Sequence, residues 1–72
     1  MTPAQELDTA MKLRELCDKA HQELYESVWT RIESGAPISS MIEDIHAFNR
    51  LYDEYWFWHN EADHIWWEHF SN

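Results

Sequence analysis

The chain has little of what staples or punctuates a small fold. Its 72 residues include one Cys, one Gly and two Pro. A single cysteine, Cys17, forbids an intrachain disulfide and suits a reducing compartment. No run approaches the ~18 apolar residues of a membrane span. The N-terminal segment has no apolar core of the length a secretory leader needs. A cytoplasmic location away from membranes is therefore expected. Bases are also scarce: five Lys and Arg face 14 Asp and Glu, for a net charge of −9. From Gly35 onward there are seven acids and one base, Arg50. Phosphate recognition needs Lys and Arg, which argues against free nucleic acid and anionic lipid as direct partners. A basic protein surface is the partner this charge favours. No Gly-rich phosphate loop, Ser/His/Asp order or carboxylate pair at a cleft is present, and two helices offer little concave space. Neither an enzyme nor a cofactor is expected.

What remains is helix. Gly35 and Pro37 in "ESGAPISS" are the only strong interior punctuation, and apolar residues on both sides recur at 3–4 spacing. Thr2, Pro3 and Gln5 form a start signal with a capping box. The first apolar stripe runs through Leu7, Ala10, Leu13, Cys17, Ala20, Leu24, Val28 and Ile32, with Leu16 beside it. Gly35 suits the left-handed position after a helix end. The expected organisation is one domain over residues 1–72: helix 3–34, turn 35–38, helix 39–70. The second start is open between Pro37 as first helical residue and Ser40 as a cap with Glu43. Two helices of about 30 residues, roughly 45 Å each, joined by a short turn give an antiparallel hairpin in an all-α fold.

The second helix reads as heptads, with Ile38, Ile45, Tyr52, His59 and Trp66 at a, and Met41, Phe48, Tyr55, Ala62 and His69 at d. One neighbouring helix covers a stripe of a little over 100°. "YWFW" alone spreads rings over about 300°. Homodimerisation into a four-helix bundle is expected to cover the surplus, since each aromatic buries about 150–250 Å². Leu24, Val28, Ile45, Phe48, Tyr52, Tyr55, His59 and Trp66 are the expected core and dimer residues. Phe57 and Trp67 point off that seam even in a bundle. With Trp58 they are expected to anchor a basic partner, which Asp53, Glu54, Glu61 and Glu68 would steer.

Two Glu-x-x-His pairs, Glu43/His46 and Glu61/His64, have the spacing of ferritin-like metal bundles. Their register places them on the outer face, about 27 Å apart along one helix, so a metal site is the lesser reading. Cys17 and His21 lie four apart, and a small buried hydrophobe is the simpler role for the thiol. His59 and His69 face the seam, where protonation could make an interface sensitive to pH.

In size, acidity and hairpin organisation the chain resembles small phage-encoded inhibitors of host proteins. The anti-quorum-sensing anti-activators, short helical-hairpin dimers that block a bacterial transcription regulator, are the type it is most similar to. The resemblance covers the whole chain in outline, without a diagnostic motif, and carries no residue roles over. It implies that the acid-and-aromatic surface occupies the basic DNA-reading face of a regulator, or a site on another host protein. DNA-mimicking anti-CRISPR proteins share the charge.

Overall fold

A computed structural model describes residues 1–71. Helix α1 covers Pro3–Glu33 and helix α2 covers Ile42–His69, with a short 3₁₀ turn at Ile38–Ser40 between them. The first helix starts as its sequence dictates. The Thr2 N–H donates to Gln5 Oε1 at 2.9 Å, and the Gln5 N–H donates to Thr2 Oγ1 at 3.2 Å. Two otherwise orphaned donors are satisfied reciprocally. The helix closes at Ser34 with a Schellman arrangement. Gly35 has φ +88°, its N–H donates to the Ile32 carbonyl, and the Ala36 N–H donates to the Arg31 carbonyl, both at 3.0 Å.

The second helix begins three residues later than residue 39. Pro37 is extended, and the Ser40 hydroxyl donates back to the Pro37 carbonyl at 2.7 Å instead of capping α2. Met41 takes the cap position without a side-chain hydrogen bond. Its side chain is 1% exposed, the most deeply buried in the chain. The competition between a serine's local backbone bond and a helix cap decided the boundary here. Across the turn, Arg31 forms an ion pair with Asp44.

The helices run antiparallel. Arg14 meets His59, Cys17 meets Glu54, His21 meets Tyr52 and Arg31 meets Asp44, so positions rise on one helix as they fall on the other. Small side chains lie at the closest approach: Ala10, Cys17 and Ala62 are buried. With only two layers, the hairpin is a rod of 53 × 20 × 14 Å. Its radius of gyration is 16.1 Å, against about 11 Å for a compact domain of this length. It exposes 5522 Å², against roughly 4,800 Å² for a folded monomer of this mass.

Candidate interaction surfaces

The register of α2 against α1 differs from a simple a/d seam. Met41, Phe48, Tyr55 and Ala62 at d do turn toward α1, as buried or half-buried residues. They are joined by Leu51, Trp58 and Ile65 at g, all half-buried. Leu24, Val28, Ile45 and His59 are likewise half-buried. Tyr52 and Trp66, expected among the core and dimer residues, are 52% and 49% exposed in the hairpin, so α1 does not cover them. His69 is exposed and lies 3.8 Å from Glu68. The small Ala62 and Ala10 draw the d/g side inward, which swings position a outward.

The consequence is a second stripe on α2. Ile42, Ile45, Asn49, Tyr52, Trp56, His59, Asp63, Trp66 and Phe70 repeat at alternating 3 and 4 spacing, the pattern of a helix-packing seam. Met11, Tyr25, Trp29 and Ile32 extend the same face onto α1, each with a substantially exposed apolar side chain. Three shallow depressions follow one another along it. One, near the termini, is lined by Leu7, Met11, Arg14, Ala62, Asp63 and Trp66. The middle one is lined by Asp18, His21, Tyr52, Tyr55 and Trp56. The third, near the turn, is an apolar cleft of about 280 Å³ whose walls include Tyr25, Val28, Trp29, Ile32, Ile45 and Phe48.

Ring contacts stiffen this face. His21 stacks on Phe48 with centroids 3.9 Å apart, and Trp66 stacks on Phe70 at 5.7 Å. Tyr52 and Tyr55 both meet Trp56 edge-on. The His21 Nε2 is buried without a hydrogen-bond partner among the described residues. Charge on the face is limited: Arg14 Nη1 is 3.2 Å from His59 Nδ1, His59 Nε2 is 3.5 Å from Asp63, and Asp18 at the middle depression accepts from Gln22 at 3.5 Å.

The acids gather elsewhere. Asp53, Glu54 and Glu61 are exposed, and helical spacing sets all three around Phe57, whose ring is 54% exposed. Phe57 packs edge-on against Trp58 at 5.0 Å. Trp58 is half-buried and opens with Glu61, His64, Ile65 and Glu68 onto a depression shared with Thr9 and Ala10. Glu68 accepts from His64 at 3.1 Å. Trp67 is 69% exposed but points about 180° from Trp58 around the helix. The three candidate anchor rings thus do not form one patch: around the helix Phe57 and the acids lie between Trp58, turned toward α1, and Trp67, turned toward solvent.

Cys17 is buried at the helix interface, its thiol 3.9 Å from the Glu54 carboxylate. Burial first, and the neighbouring negative charge second, raise its pKa above the ordinary thiol value. Glu43, His46, Glu61 and His64 are all exposed. No group of three His, Cys, Asp or Glu side chains converges as a metal site among the described residues. Among the described residues no helix is long and apolar enough to cross a membrane. The chain matches no protein-family model, no curated protein and no solved structure.

The heptad pattern at a and d does not by itself say which stripe of α2 meets α1 and which stays open. The signal for the open stripe is the 3–4 spacing from Ile42 to Phe70.

Proposed function

We propose that this chain is a non-enzymatic protein-binding regulator. It self-associates into a four-helix bundle and engages a basic, nucleic-acid-binding protein through its acidic edge, inhibiting it. The observation that carries the reading is the segregation of the surface. Apolar rings dominate one face along the hairpin, while Asp53, Glu54 and Glu61 surround Phe57 elsewhere. An edge with several carboxylates and an exposed ring suits a basic surface: charge speeds encounter and the ring supplies desolvated contact. A regulator's DNA-reading face has that chemistry, as the resemblance to phage anti-activators implies.

The test uses the folded chain as bait alongside an Asp53→Lys/Glu61→Lys variant of unchanged oligomeric mass. The expected result is capture of basic proteins by the parent chain, competition by duplex DNA, and loss of capture by the variant. Capture that survives charge reversal, or ignores DNA, overturns this reading. A second reading, self-assembly as the whole function, draws on the length of the aromatic face. A native mass well above the dimer is its mark.

A further inference from the structure

The self-association just proposed leaves open which face is covered and in which direction the copies run. We infer that the aromatic face receives a second copy of this chain, antiparallel to the first, so that Trp66 and Phe70 of each copy enter the turn-end cleft of the other. This rests on the self-association part of that reading and not on the acidic edge.

Three observations point to a second copy as the occupant. The first is area. A face 53 Å long and 20 Å wide is on the order of 1,000 Å², enough for the ~800 Å² per partner of a stable interface. The second is the excess exposed surface of the lone rod, which a four-helix bundle would remove. The third is charge. In a chain of net charge −9, the face carries few charges: Arg14 touches His59, His59 lies beside Asp63, and Asp18 is one further acid at the middle depression. Two such faces can approach while most acids stay outside, whereas a basic partner would find little to attract it here.

The direction follows from shape. The terminal end of the face carries a knob, the stacked Trp66–Phe70 pair, and the turn end carries the apolar cleft. Helix α2 has its midpoint between Tyr55 and Trp56. Reversing a second α2 about that point sets Trp66 opposite Ile45, which lines the cleft. A twofold axis through the middle of the face then fills both clefts at once, an isologous contact. With the turns at the same end, cleft would face cleft and the two Trp66–Phe70 pairs would meet each other, leaving both clefts open.

One nitroxide on Ser39→Cys, in a Cys17→Ser chain, reads the direction by pulsed dipolar spectroscopy without touching the face. Antiparallel copies place the two labels about 50 Å apart along the rod; copies with turns together place them about 20 Å apart. The long distance in a species of dimer mass supports the inference. The short distance overturns it and leaves self-association standing. A monomer at micromolar concentration overturns both. Trp66→Asp is expected to abolish the dimer mass, and a Trp66→Asp dimer of unchanged stability also overturns the inference. The acidic-edge variant leaves all these readouts unchanged, so failure here is distinct from failure of partner capture.

Discussion

Arg14 and His59 meet across the hairpin with Nη1 and Nδ1 3.2 Å apart. A guanidinium only donates, so His59 Nδ1 must be the acceptor, and the neutral ring carries its proton on Nε2, toward Asp63. The expected ¹⁵N signature of His59 above pH 7 is therefore the Nε2–H tautomer. Arg14→Met removes the donor and should cost about 1 kcal/mol while releasing the tautomer preference. An Nδ1–H imidazole in the parent chain would contradict the contact.

Cys17 should react slowly with a thiol reagent at pH 8, because burial and the Glu54 charge both favour the protonated form. Glu54→Gln removes the second cause and is expected to speed the reaction severalfold, still leaving it slower than an unfolded control. The linkage has a definite sign. A thiol whose folded pKa is raised contributes stability that is fully present below the unfolded value. That stability is lost as pH rises toward the folded value. The stability difference between parent and Cys17→Ala chains should therefore shrink as pH rises past the ordinary thiol value, as read by denaturation midpoints.

Met41→Ala is expected to be among the most damaging single truncations, at about 2–4 kcal/mol, because the side chain is fully enclosed where the turn meets α2. Leu16→Ala, at a residue 63% exposed, should stay within about 0.5 kcal/mol. Urea midpoints of the two variants measure this order directly, and a reversed order would mean that Leu16 is covered in the assembled protein.

Gly35→Ala separates backbone strain from crowding. A Cβ at this position meets nothing within 4 Å, so only the positive φ opposes it. The expected cost is about 1 kcal/mol. Gly35→Asn should cost less, since Asn tolerates the left-handed region. Equal losses for both, measured by thermal unfolding, would place the cause outside the dihedral angle.

Much of the local architecture was legible in the chain. The Thr2–Gln5 box, Gly35 after α1, and the two apolar periods are short-range features, governed by neighbours within one helical turn. The start of α2 was not, because Pro37, Ser40 and Met41 offered competing local bonds and burial of Met41 depends on the packed hairpin. The candidate surface was legible by residue type and spacing. Nine-residue spacing already sets Trp58 and Trp67 on opposite sides of α2, and the packed hairpin adds that Trp58 is the one turned toward α1.

By itself the sequence determined helices, turn and charge, since propensity, capping and hydropathic period act along the chain. Only the tertiary structure decided how α2 is rotated about its own axis. Small residues at Ala10, Cys17 and Ala62 allow close approach, which brings Leu51, Trp58 and Ile65 inward and leaves Tyr52, Trp56 and Trp66 on an open face. A helical period fixes which residues share a stripe; steric fit against the neighbouring helix selects which stripe is covered.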